Sequence, residues 1–113
     1  KLPADRQFAP WVAAMKRGGQ ELDVPVIDLT HMSEALVDSC GETAATGLYM
    51  TLPAGKYPHY PDGLGDTTHL QPLGAMTFAG LIARGLHQLG GIYAELLSDE
   101  FADWLNEGGS IVP

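Results

Sequence analysis

In Asp62-Gly63-Leu64-Gly65-Asp66-Thr67-Thr68-His69 an aspartate stands three residues before a histidine, a pairing suited to acid–base chemistry. In a helical or 3₁₀ turn, residues i and i+3 meet. A carboxylate at that separation accepts a hydrogen bond from the imidazole, fixes its tautomer and leaves Nε2 free as a general base. Such a base suits removal of a proton from a serine hydroxyl. Spacing alone leaves a second reading open, in which His69 caps a helix start and Asp66 is its surface partner. His59 and His69, with Asp62 and Asp66 between them, also offer metal-ligand atoms. Their spacing matches no set of three or four convergent ligands, so no metal and no cofactor is expected. Tyr57 and Tyr60, just upstream, are candidate substrate contacts whose aromatic faces suit sugar rings; stapling the loop to the domain is the alternative. His31 and His87 read as surface residues, and Cys40 as a small apolar side chain.

The elements that must hold these groups follow from hydrophobic periodicity. A helix is predicted over 5–22, with Phe8, Trp11, Val12, Met15 and Leu22 on one stripe and Pro10 tolerated in the first turn. Gly18-Gly19 weakens its end. Val24-Pro25-Val26-Ile27-Asp28-Leu29 has the composition of a strand buried on both faces, Pro25 at its start and Asp28 at its carboxyl edge. Thr30 is the expected cap of a helix through about residue 39, followed by one or two helical turns within 42–50. Periodicity disappears over 51–68, where a proline-rich loop of that length reads as functional. Pro72 opens a long helix to about residue 89. Its apolar stripe is Ala75, Phe78, Ile82 and Leu89; Met76, Leu81 and Leu86 widen it, so covering on more than one side is expected. Gly90-Gly91 ends that helix. The remainder is an acidic amphipathic tail with Tyr93, Leu97, Phe101 and Trp104 at helical spacing.

One strand has no ladder partner, so the sheet is expected to be encoded elsewhere or completed by another chain. The 113 residues allow one modest domain. Six Lys+Arg against 14 Asp+Glu leave a net charge of −8, which argues against nucleic-acid binding. A single cysteine excludes an internal disulfide and a multi-cysteine zinc site. No apolar run approaches membrane-spanning length, and Lys1-Leu2-Pro3-Ala4-Asp5 does not read as a signal peptide.

Taken in order, Ala13-Ala14-Met15-Lys16, the Val24–Leu29 run, Pro53-Ala54-Gly55-Lys56-Tyr57-Pro58-His59-Tyr60-Pro61-Asp62-Gly63, Asp66-Thr67-Thr68-His69 and Gly74-Ala75 resemble the C-terminal half of an SGNH (GDSL-type) hydrolase of the rhamnogalacturonan acetylesterase branch. The likeness spans roughly residues 5–90. It implies an α/β fold: the C-terminal portion of a flavodoxin-like three-layer α/β/α sandwich with a parallel sheet, mostly helical in this segment. Residues 1–91 would belong to that hydrolase domain and 92–113 to the acidic tail, which can cover a surface or mediate homo-oligomerisation. The resemblance further implies export, deacetylation of plant cell-wall polysaccharide or another small ester, His69 as catalytic base and Asp66 as its acidic partner. The net negative charge suits a neutral or acetylated substrate better than pectin's carboxylates.

The departure from the family is the nucleophile. The serines are Ser33, Ser39, Ser98 and Ser110; none follows Gly-Asp, and none lies in a Gly-x-Ser-x-Gly elbow. Asp38-Ser39-Cys40 echoes the family motif but follows Val37 within a predicted helix. Asn106, the only asparagine, lies far from any Gly-x-Asn context. The chain alone is therefore expected to hydrolyse nothing. The alternative is a non-catalytic helical module for protein interaction or dimerisation.

Overall fold

Pro72, with its φ preset and no N–H to satisfy, starts the longest helix among the described residues, and Gly90 at φ +71° ends it. The computed structural model describes residues 8–113. Its elements are α1 (Ala9–Leu22), α2 (Leu29–Cys40), α3 (Glu42–Thr46), β1 (Tyr49–Leu52), β2 (Leu64–Leu70), α4 (Pro72–Leu89), α5 (Gly91–Ala94) and α6 (Asp99–Asn106). The face of α4 carrying Gly74, Thr77, Leu81 and Gly85 is buried. Leu81 joins Leu36 of α2 and Leu48, which precedes β1, in the core. Two glycines permit this packing. A Cβ on Gly74 would run into the backbone of Leu48, and one on Gly85 would lie 2.6 Å from Ile27. Thr77 stays satisfied inside by donating its hydroxyl hydrogen to the Leu73 carbonyl at 2.7 Å.

Helices and a small sheet are mixed, as the α/β class requires. The sheet among the described residues consists of β1 and β2 alone, paired antiparallel. These strands take up the two ends of the stretch where periodicity vanishes, and β1 takes over residues 49–50 from the predicted helical turns. The signal was absent because most of β2 is exposed, so no apolar alternation marks it.

The strand predicted over 24–29 does not form. Val24–Asp28 is neither helix nor ladder, and Leu29 already belongs to α2. An apolar run becomes a strand only beside a partner backbone, and none of the described residues provides one. Val24 instead donates its N–H to Gly19 at 2.8 Å, and Ile27 packs on the bare Cα of Gly85. The cap of α2 is Asp28, not Thr30: its carboxylate accepts from the His31 N–H at 3.0 Å. Asp28 also pairs with Lys16 of α1. Lys16 and the His31 amide hold the Asp28 carboxyl below its usual range.

The predicted stripe of α1 exists but is uncovered; no residue of α1 is buried, and Trp11, Met15 and Leu22 are about two-thirds or more exposed. The part of that helix predicted over 5–7 lies outside the described residues. α4 is covered on one side only, since Leu73, Met76, Ile82 and Leu89 remain exposed. His87 is half-buried there. The tail forms two short helices in place of one, because Ser98 caps a new start by accepting from the Phe101 N–H at 3.2 Å. Its end folds back, placing Ile111 on Gly80. The radius of gyration is 16.3 Å, where a compact domain of this length has about 13 Å. No helix among the described residues is long and apolar enough to cross a membrane.

Candidate active site

The β1–β2 ladder breaks at one place. Tyr49 pairs with Leu70 and Thr51 with Gly65, so Met50 stands opposite Asp66, Thr67, Thr68 and His69 together. This wide bulge, and not the helical turn expected from the spacing, brings the pair into contact. Asp66 organises the bulge from within. Its Oδ1 accepts the Thr68 N–H at 2.7 Å and the His69 N–H at 2.9 Å. Its Oδ2 lies 2.7 Å from His69 Nδ1. Aspartate is well suited to this, because its short carboxylate reaches backbone donors two and three residues ahead.

The bonds set the protonation states. The His69 and Thr68 amides, with the imidazole after them, push the Asp66 pKa down to about 2. Asp66 is then a carboxylate across the ordinary pH range and can only accept. The Nδ1 facing it must carry the hydrogen, which leaves Nε2 of neutral His69 with its lone pair free. The His69 side chain is 79% exposed and that of Asp66 27%, so the pair presents an accessible base on a partly shielded carboxylate. His69 does not cap α4; that position belongs to Gln71.

The 53–63 connection is a structured excursion. Tyr57 and Tyr60 form an antiparallel bridge, with the Tyr60 N–H donating to Tyr57 at 3.0 Å. Gly55 donates to Pro61 at 2.9 Å, and Gly63 to Tyr60 at 2.9 Å. Gly63 has φ +76°, and a Cβ there would press on the carbonyl of Leu52, so glycine is required where the excursion rejoins β2. Lys56 Nζ sits 5.4 Å from the centroid of the half-buried Tyr57 ring, while Tyr60 is more exposed. His59 and Asp62 are exposed in the same excursion, and among the described residues no three His, Cys, Asp or Glu side chains converge.

Ser39 donates its hydroxyl hydrogen to Leu36 at 2.7 Å within α2, and Cys40 contacts the Val37 carbonyl. Two further residues brace the flanks of the bulge. Thr51 donates its hydroxyl hydrogen to the Asp66 carbonyl at 3.3 Å. Gln71 donates from Nε2 to the Tyr49 carbonyl at 2.6 Å. Sequence reasoning missed both. The available signal was a glutamine directly before Pro72, at a helix start where Ser, Thr, Asp or Asn is preferred.

Comparison with known proteins gives one relative to set beside this geometry. Over 77 residues, 68% of this chain and 33% of the relative, the sequence is 42% identical to the rhamnogalacturonan acetylesterase RhgT of Bacillus subtilis (strain 168). The chain thus spans about a third of the length of the curated relative it matches. No family model and no solved structure matches it. The chain is therefore rhamnogalacturonan acetylesterase-like, of the SGNH hydrolase kind, and corresponds to the C-terminal part of such an enzyme.

Proposed function

We propose that the chain supplies the base and its orienting acid to a carbohydrate esterase that removes acetyl groups from plant cell-wall polysaccharide. The observation carrying this reading is the Asp66–His69 contact of 2.7 Å, in which the carboxylate also grips two backbone amides. The name of the relative supports the substrate class. In the reaction, a serine hydroxyl attacks the acetyl carbonyl while His69 Nε2 takes its proton. His69 returns that proton to the sugar oxygen as the tetrahedral adduct collapses, and the sugar alcohol leaves. Water then attacks the acetyl-serine, again losing its proton to Nε2, and acetate departs as the serine is reprotonated. Asp66 holds the Nδ1–H tautomer and stabilises the imidazolium that forms in each half. Tyr57 and Tyr60 flank the sugar.

No Gly-Asp-Ser occurs in the 113 residues, so the serine and the oxyanion donors come from outside them, and this chain alone is inactive. The remaining hydrolase domain, or a second chain, also supplies the parallel sheet of a three-layer sandwich. The uncovered α1 stripe and the unpaired Val24–Asp28 segment support that reading. The same surfaces favour the second reading, a non-catalytic module that binds another chain. Acetate release from acetylated rhamnogalacturonan by the full-length protein separates the two. His69→Ala is expected to reduce kcat at least about 100-fold; undiminished activity refutes the role of His69. A serine-directed fluorophosphonate adduct on this 12.0 kDa chain by itself refutes the absence of a nucleophile.

A further inference from the structure

We propose that Gln71 is a positioning residue for the Asp66–His69 pair, its side-chain amide tying the end of the bulge to the corner that leads into β1. The inference rests on the reading of that pair as acid and base.

Gln71 sits at the N-cap of α4, with φ −73° and ψ 166°, yet its side chain makes no cap bond. The amide turns instead toward the α3–β1 corner, donating to the Tyr49 carbonyl at 2.6 Å and lying 3.5 Å from that of Thr46. The Gln71 backbone N–H donates to Leu48 at 2.9 Å. One residue therefore fastens the chain, two positions after His69, to the segment 46–49. On the other flank of the bulge, the Thr51 hydroxyl holds the Asp66 carbonyl. Residues 66–69 have no ladder partner of their own, so their backbone is restrained by Asp66 inside and by these two fastenings at either end. A helix start that forgoes its best-suited capping residues marks a position whose side chain serves another purpose. Here the purpose is to keep the His69 and Thr68 amides aimed at the Asp66 carboxylate. At the same corner Gly74 seats α4 directly on the backbone of Leu48, where a Cβ would collide.

The test compares Gln71→Met, which keeps the stem and removes the donor, with Thr51→Val, which keeps the shape and removes the hydroxyl. Ile111→Val serves as a packing control away from the bulge. In the labelled full-length protein, NMR follows the Asp66 carboxyl titration and the His69 ring nitrogens, and circular dichroism follows Tm. The expected result is that the Asp66 midpoint rises from about 2 toward its ordinary 3.8 in both bulge variants. His69 then populates its second tautomer, and Ile111→Val lowers Tm without either change. In the full-length esterase Gln71→Met lowers kcat by roughly 10- to 100-fold with KM unchanged. If Gln71→Met lowers Tm but leaves the titration and the tautomer as in wild type, Gln71 is a structural tie only and the proposal falls. If Gln71→Met does not fold, Gln71→Glu, which keeps the side-chain length and has no donor when ionised, decides by the same two readouts. The titration reports bulge geometry whether or not esters are cleaved, so its failure is distinct from a failure of His69→Ala to impair activity.

Discussion

Replacing Asp66 with asparagine tests the acid–base assignment through a single atom change. The carboxylate of Asp66 accepts three hydrogen bonds, two from backbone amides at 2.7 and 2.9 Å on Oδ1 and one from His69 Nδ1 at 2.7 Å on Oδ2. Asparagine has one acceptor oxygen and one donor amide. Turning its oxygen to the backbone keeps two bonds, whereas turning it to His69 keeps one and leaves two amides facing an NH₂ group. The first orientation is preferred, by about one net hydrogen bond, or ~1 kcal/mol. It presents a donor to Nδ1, so His69 must move its hydrogen to Nε2 and loses the lone pair that receives the serine proton in the proposed reaction. Where an acid–base pair is disabled by the wrong tautomer, kcat falls about 10⁴-fold, or roughly 5.4 kcal/mol of transition-state stabilisation. Ring-nitrogen NMR of the labelled chain is expected to show Nδ1–H in wild type and Nε2–H in Asp66→Asn, and acetate release by the full-length protein to fall by that order. Retention of the Nδ1–H tautomer, or of activity within about tenfold, would refute the reasoning.

Other expectations follow from the same contacts. Because the folded-state pKa of Asp66 is lowered, its contribution to stability is fully present above about 4 and disappears as pH falls through about 2. Urea denaturation at pH 5 should therefore separate wild type from Asp66→Asn more than at pH 2. Asp28→Ala removes the α2 cap and the Lys16 partner, and is expected to cost about 1 kcal/mol in chemical denaturation at neutral pH. As the Asp28 pKa is also lowered, that cost shrinks as pH falls below its ordinary 3.8. Trp11→Ala should change the stability of this chain by no more than about 0.5 kcal/mol, the usual size for an exposed side chain. In the full-length protein the same change should cost about 3–5 kcal/mol if α1 lies against the completed sheet; equal, small effects in both would refute that packing.

Legibility in the sequence tracked how far apart the deciding atoms lie along the chain. α4 was readable to its ends because Pro72 and Gly90 act on their own φ angles. The contact between Asp66 and His69 was readable because a short carboxylate meets a ring three residues on in more than one backbone form. The kind of turn was not, since the bulge depends on where Met50 runs. The sequence places the cap of α2 two residues late because Asp28 reads as the end of a strand, and whether an apolar run is a strand depends on a neighbour that the run does not encode.

Composition, the negative charge, both ends of α4 and the local Asp–His pairing were thus determined by the sequence itself, through steric and electrostatic effects acting over a few residues. Only the tertiary structure decided that Gln71 reaches Tyr49 across 22 positions and Thr51 reaches Asp66 across 15. It also decided that the apolar faces of α1 and outer α4 stay uncovered. Hydrogen bonds of this reach exist only after the hairpin and α4 have docked, because docking is what brings the donor and the carbonyl within 3 Å or so of each other.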